Sequence, residues 1–447
     1  DERLRELERH QISVRLRDDI VPAPAAFMTH RISIDDARTE GKPEFEAMRE
    51  IHELMNTPGT VSLGYNTLGF DDEFLRFSFY RNLLPPYTHQ WKNDCGRMDI
   101  YPMTVVYRLQ DSDVLDWPEE NGRLTLRLER LSAANDLSGG RAHTAMADTE
   151  ATVELARHLA QNRTLWNDLR EHFDKKLDEG RYLRLPRVGI GDRAYPVGVL
   201  VSGKFGESNK YQRPVVSLGK HRTYSNQTRL LVLDDEELKE AGDEQVAEAA
   251  EIVHKKFGVP DFLYSSHDSS VIRLSRERRR LANENIRQWR ENPKPFECLV
   301  DRFLEDTYSA CPDLDVDVAL YEGGFWDRAT EARCSEFHQA ADIDDRMAIL
   351  GNFEQSDLQE LGRRILIRNF AEAARNEELQ RLGREYLRQV FPGDDDQVPV
   401  DHRGRRRRTP ASALQEIEHH RQEDDLDPEQ ERLLVELEEY LADRFFR

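Results

Sequence analysis

Two stretches hold side chains whose types and spacing suit chemistry. The first runs Leu63-Gly64-Tyr65-Asn66-Thr67-Leu68-Gly69-Phe70-Asp71-Asp72-Glu73, and the second runs Arg141-Ala142-His143-Thr144-Ala145-Met146-Ala147-Asp148. A histidine five residues before an aspartate, together with an aspartate on an earlier helix, suits metal-dependent cleavage of a phosphodiester. Carboxylate oxygens are hard ligands for Mg²⁺, with Mn²⁺ able to substitute. A pair of such ions activates the attacking water and stabilises the leaving oxygen. An imidazole titrates near neutrality and can take the water's proton. On this reading Asp71 and Asp148 are the metal ligands and His143 is the general base.

These side chains need elements to hold them. The apolar run Thr60-Val61-Ser62-Leu63 ends in Gly-Tyr-Asn and reads as a strand and a turn. A helix then follows, with acids in its first turn and Phe74, Leu75, Phe79 and Leu83 on its apolar side. Arg76 lies about 140° around that helix from Asp71, so it is free to reach a phosphate beside the metals instead of pairing with Asp71. Asp72 and Glu73 read as favourable charges at a helix N-terminus. Asp99, at a strand end, reads as a structural hydrogen-bonding residue. His143 follows the glycines of Ser138-Gly139-Gly140, and Thr144 caps a helix through Ala151, Leu155 and Leu159 that carries Asp148.

Composition bounds the rest. A chain of 447 residues exceeds what one core supports, so several domains are expected. A net charge of −22 excludes a generally basic nucleic-acid coat and leaves room for a local basic channel. Cys95, Cys298, Cys311 and Cys334 stand far apart and read as free thiols of a reducing cytoplasm. No apolar run is long enough to span a membrane, and no membrane partner is expected.

Residues 10–17 alternate apolar and polar and read as a half-buried strand, and Ser33 caps a short helix. A helix is expected over 43–55. Strands alternating with helices to about residue 160 give an α/β domain. Residues 194–233 then read as strands. Lys204, Lys210, Arg213, Lys220, Arg222 and Arg229 face only Glu207 in that stretch. With Phe205 and Tyr211, this mixture suits the stacked bases and phosphates of single-stranded DNA. Residues 240–310 read as helical, with five arginines between 273 and 280. A long helical region follows, interrupted by a surface loop from Gly393 to Pro410 with a basic tract at Arg403 and Arg405–Arg408.

Several phrases resemble bacterial exonuclease I, of the 3′→5′ exonuclease superfamily with four acids and a histidine. They are Gly64-Tyr65-Asn66, Phe70-Asp71-Asp72-Glu73, Arg76, Phe79-Tyr80-Arg81-Asn82 and Ala142-His143-x-Ala145-Met146-Ala147-Asp148. Later ones are Val201-Ser202-Gly203-Lys204-Phe205-Gly206, Arg290-Glu291-Asn292-Pro293, Asp317-x-Ala319-Leu320-Tyr321 and Arg368-Asn369-Phe370. The resemblance implies a ribonuclease H-like exonuclease domain over 1–163, an SH3-like β-barrel with helices over 164–313, and a C-terminal α-helical domain over 314–447. It implies a monomer that removes 5′-mononucleotides from the 3′ end of single-stranded DNA in repair and recombination. It also implies two Mg²⁺ ions, a single-stranded-DNA-binding protein as partner, and a cytoplasmic location. Arg76, Lys204, Lys210, Arg213, Lys220 and Arg222 are the expected DNA contacts.

One departure stands against those matches. The family's first motif, an Asp-x-Glu on the first strand, has no counterpart before Asp71, and the chain begins at Asp1. The expectation is a domain lacking its first strand, with that motif upstream. A protein starting at Asp1 is then expected to be inactive and poorly soluble. The alternatives are a single-stranded-DNA-binding homologue without catalysis, or an exonuclease of short RNA.

Overall fold

The computed structural model describes residues 1–137, 144–240, 246–305, 314–370, 373, 375–391, 398–423 and 425–445. His143 and Cys311 lie outside these residues. The chain divides into two compact units. The first comprises Asp1–Glu6, Ser62–Gly69 and Arg97–Ser309, and the second Leu7–Val61, Phe70–Gly96 and Ala310–Arg447.

The first unit centres on an antiparallel sheet. Its strands lie in the order Phe262–Tyr264, Arg193–Val201, Gln212–Lys220, Gln227–Val232 and Ile252–Lys256, with Arg187–Ile190 also paired to Arg193–Val201. Successive strand residues point to opposite faces, and here both faces are buried. Val216 and Leu231 pack with Trp289, Phe296 and Leu299 from the helices Arg276–Glu291 and Lys294–Leu304. Their neighbours Val215 and Leu230 pack with Tyr182, Phe257 and Leu263 on the other side. A third cluster joins Ile100–Gln110 and Ala145–Leu159 through Met103, Val106, Leu155 and Leu159, and also takes in Val199 and Val201. Alongside lies a two-stranded pair, Val61–Gly64 with Gly96–Asp99.

The second unit is helical. Glu44–Met55 and Asp71–Arg81 pack with Arg328–Gln339, Ile343–Leu350 and Ser356–Asn369 through Phe45, Phe77, Tyr80, Phe337, Leu361 and Ile365. Val21, Met28 and Ile34 pack on Ile417, Leu434 and Leu441 of the helices Pro410–Glu423 and Pro428–Phe445. A buried ionic cluster lies within this unit. Arg17 donates to Asp19 at 3.0 Å and Glu44 at 2.8 Å, and Arg81 donates to Glu44 at 2.9 Å. Arg368 pairs with Asp19 at 3.0 Å and with Asp317, and Tyr386 donates to Asp19 at 2.6 Å.

Several expectations need correction. Residues 10–17 form no strand: alternation needs a partner, and only Val14 makes a bridge, to Lys42. Pro24–His30 is a helix that the sequence reading left unassigned. The helical reading of 240–310 misses the strands Ile252–Lys256 and Phe262–Tyr264. Lys255 disguised the first of these, because its ammonium is buried by donation to Asp178 at 2.6 Å. The arginine tract near 405 does lie in a surface loop, where Val400 bridges Arg406, Arg407 donates to the Asp19 carbonyl at 2.6 Å, and Arg408 to Glu416 at 2.9 Å.

Candidate active site

The Gly64–Leu68 turn is held by one carboxylate. Asp99 accepts from the Asn66 N–H at 2.7 Å and the Leu68 N–H at 3.1 Å. It also caps the helix Ile100–Gln110 by accepting from the Tyr101 N–H at 3.0 Å. Asn66 takes the left-handed conformation at φ 61°, which asparagine tolerates better than most residues. A Cβ on Gly64 would lie 2.1 Å from the Thr67 methyl, so the turn requires glycine there.

Asp71 is the first residue of its helix and is exposed. Local crowding by protein atoms raises its carboxyl above the usual range, with the neighbouring Asp72 charge adding to that, against the helix's own N–H. Asp72 is instead buried. It pairs with Arg76 at 3.0 Å, accepts from Gln90 at 3.2 Å, and lies 3.7 Å from His89. Arg76 also donates to the Asp72 carbonyl at 3.2 Å and stands 5.9 Å from the Tyr87 ring centre. Arg76 is thus held by Asp72. The i, i+4 spacing was the available signal for this pair. Phe74, expected on the apolar side, is 54% exposed, whereas Phe77, Phe79 and Tyr80 are buried.

Asp148 lies in the first turn of Ala145–Leu159 and is exposed. Thr144 caps that helix by accepting from the Ala147 N–H at 3.2 Å, and Ala151, Leu155 and Leu159 bury its other face. Asp71 therefore belongs to the second unit and Asp148 to the first. Among the described residues no three His, Cys, Asp or Glu side chains gather as a metal site. The described residues therefore do not by themselves make up the ligand set of a two-ion centre.

The basic stretch is partly neutralised in space. Arg213 donates to Asp234 at 2.7 Å and pairs with Glu251 at 3.1 Å. Lys220 pairs with Glu179, and Arg222 with Glu305. Lys204 is highly exposed, 3.8 Å from Asp261, and Lys210 is exposed with no ion-pair partner among the described residues. Of the arginines at 273–280, Arg278 is bound to Asp234 at 2.5 Å.

No protein-family model matches the chain. Its fold is that of a mixed α/β DNA exonuclease. The structure of Escherichia coli exonuclease I with a dA16 oligonucleotide superposes with a TM-score of 0.82 at 24% identity, covering 99% of this chain and 94% of that one. Exonuclease I from Methylocaldum szegediense gives 0.80 at 25% identity, covering 99% and 93%. A zinc-bound form of the E. coli enzyme with single-stranded DNA gives 0.81 at 24% identity, covering 99% and 93%. In sequence, exodeoxyribonuclease I of E. coli is 32% identical over 332 residues, which are 69% of this chain and 67% of that protein. The Haemophilus influenzae protein of that name is 27% identical over 333 residues, 69% and 68% of the two chains. The chain belongs to the exodeoxyribonuclease I family.

Proposed function

We propose that the protein degrades single-stranded DNA from the 3′ end and releases 5′-mononucleotides, serving DNA repair and recombination. The observation that carries this reading is the 32% identity over 332 residues to the E. coli enzyme. The solved complexes of that enzyme with single-stranded DNA support the substrate class. In this reading Asp71 and Asp148 contact Mg²⁺, or Mn²⁺ in its place. His143 takes the proton of the attacking water, a role worth roughly 10²–10⁴ in rate. Two carboxylates are too few for two ions about 3.5–4 Å apart, so further ligands are required beyond this pair.

The layout proposed is an exonuclease domain over 1–163, an SH3-like domain over 164–313 and a helical domain over 314–447. The antiparallel sheet between Arg187 and Tyr264 supports the second of these. Lys204, highly exposed and only loosely paired with Asp261 at 3.8 Å, and Lys210, exposed with no ion-pair partner among the described residues, are the proposed contacts best placed for DNA, because Arg76, Arg213, Lys220 and Arg222 have closer acidic partners. The protein is proposed to act as a monomer in the cytoplasm, with a single-stranded-DNA-binding protein as partner. Among the described residues no helix is long and apolar enough to cross a membrane.

A second reading, a binding protein without catalysis, is favoured by the lack of three clustered ligating side chains among the described residues. The test measures mononucleotide release from 3′-labelled single-stranded DNA, duplex DNA and short RNA in Mg²⁺, and binding in Ca²⁺. Release from the DNA single strand alone, abolished by Asp71→Asn or Asp148→Asn, supports the exonuclease reading. Tight binding without release supports the second reading. Release chiefly from RNA overturns the substrate class.

A further inference from the structure

Glu73 stands in the first turn of the helix that carries Asp71, and groups from far along the chain meet it. That helix start has no side-chain cap: Phe70 occupies the N-cap position and has no oxygen to accept from the first-turn N–H groups. Asp72 faces Gln90 and His89. Glu73, about 100° further round the helix, pairs with Arg403, accepts from the Tyr321 hydroxyl at 3.1 Å and lies 3.4 Å from His402 Nε2. One turn on, the Phe77 ring stacks on His402 with centres 4.7 Å apart. Tyr321 meets both rings edge-on, at 5.3 Å from Phe77 and 5.6 Å from His402.

His402 and Arg403 sit at the tip of a hairpin closed by the bridge between Val400 and Arg406. Asp401 shapes that tip. It accepts from the Arg403 and Arg405 N–H groups, each at 2.9 Å, and from the Arg405 guanidinium at 2.8 Å. Gly404 takes φ 74°, which lets the chain reverse. The imidazole and the Arg403 guanidinium are therefore carried on a turn fixed by its own hydrogen bonds.

We propose that this hairpin tip, together with Tyr321, latches the first turn of the helix and so holds the Asp71 carboxylate in place for its chemistry. The inference rests on the function proposed above and deepens it. An uncapped helix start frays, and the latch removes that freedom on the side that Asp72 does not hold. Displacing a reacting group by about 1 Å costs up to about 10²-fold in rate. A contact that adds little to overall stability therefore weighs heavily on turnover. Arg403, His402 and Tyr321 are positioning groups: they touch Glu73 and Phe77, and Asp71 retains its proposed place at the metal.

The test uses the full chain with Arg403→Ala, Arg403→Lys, Glu73→Gln and the double variant of Glu73→Gln with Arg403→Ala, each checked for folding by urea unfolding. Amide hydrogen exchange is read at Phe74, whose N–H donates to the Phe70 carbonyl at 2.9 Å and so reports opening of the first turn. Arg403→Ala and Glu73→Gln should each speed that exchange about 2- to 5-fold. The double variant should exchange no faster than either single one, because both act through one contact. Arg403→Lys, which keeps the charge, should restore slow exchange. In mononucleotide release from single-stranded DNA in Mg²⁺, Arg403→Ala should lower kcat about tenfold at unchanged KM, and Arg403→Lys should recover most of it. Unchanged exchange at Phe74 in folded Arg403→Ala, or effects of the two single variants that multiply in the double one, overturns the latch and leaves the proposed function standing. So does an unchanged kcat, or a rise in KM in its place. If the unaltered protein releases no nucleotide, the proposed function falls, and the exchange at Phe74 with its rescue by Arg403→Lys decides the latch alone.

Discussion

Replacing Glu44 with glutamine tests whether the buried ionic cluster holds the second unit together. Glu44 is 6% exposed and accepts from Arg17 at 2.8 Å and Arg81 at 2.9 Å. Burial alone would raise its carboxyl, but Arg81 and Arg17 together outweigh burial and lower it from 4.5 to about 2. Each tenfold change in proton affinity is about 1.4 kcal/mol, so the ionised carboxylate contributes about 3 kcal/mol at pH 7. The folded-state value lies below the unfolded one. The contribution is therefore complete above about pH 4.5 and is lost as pH falls towards 2. At pH 3 about 1.4 kcal/mol should remain.

Glu44→Gln removes the charge at nearly constant volume and leaves two part-buried guanidiniums without it, at the low end of a class of change that costs about 3–5 kcal/mol. Urea unfolding of the original and Glu44→Gln proteins at pH 7 and pH 3 gives the difference directly. A difference of about 3 kcal/mol at pH 7 that roughly halves at pH 3 is expected. The other titrating groups are common to both proteins and drop out of the comparison. A difference below about 1 kcal/mol at pH 7, or one equal at the two pH values, would refute the reasoning.

Asp99→Ala removes the acceptor for three backbone N–H groups. It should cost about 2 kcal/mol and speed hydrogen exchange at Asn66, Leu68 and Tyr101. Asp178→Asn strips the buried Lys255 of its carboxylate partner and should cost about 3–5 kcal/mol in thermal or urea unfolding. Lys204→Ala and Lys210→Ala should each flatten the salt dependence of single-strand binding by about 0.7 in log–log slope, whereas Arg222→Ala, at a residue already paired with Glu305, should leave the slope nearly unchanged. Equal slopes for all three would place the DNA elsewhere.

The periodic parts of the chain were legible. Glu44–Met55, Ser356–Asn369, Glu377–Val390 and the final helical pair all follow their apolar spacing. The strands around Val199, Val215 and Leu231 follow their β-branched runs. What stayed hidden depends on groups distant in sequence. Lys255 reads as a surface residue until Asp178, 77 positions earlier, accepts its proton donors in the interior. The basic stretch reads as an open track until Asp234, Glu251, Glu179 and Glu305 are placed against it. A count of charges within a window cannot find those partners.

The candidate site turns on the same distinction at its smallest scale. Asp71 and Asp72 are adjacent in sequence, yet about 100° of helical rotation separates their side chains. That rotation carries Asp72 inward, where Arg76, Gln90 and His89 surround it, and leaves Asp71 exposed. Asp72 is therefore already compensated, and binding a cation there would mean displacing Arg76. Asp71 carries a carboxyl raised by local crowding and has no cationic partner among the described residues. The sequence reading takes Asp71 as a ligand and Asp72 as a favourable charge at a helix N-terminus. The buried Asp72–Arg76 pair anchors the helix start, and Asp71 is left as the exposed acid of the two.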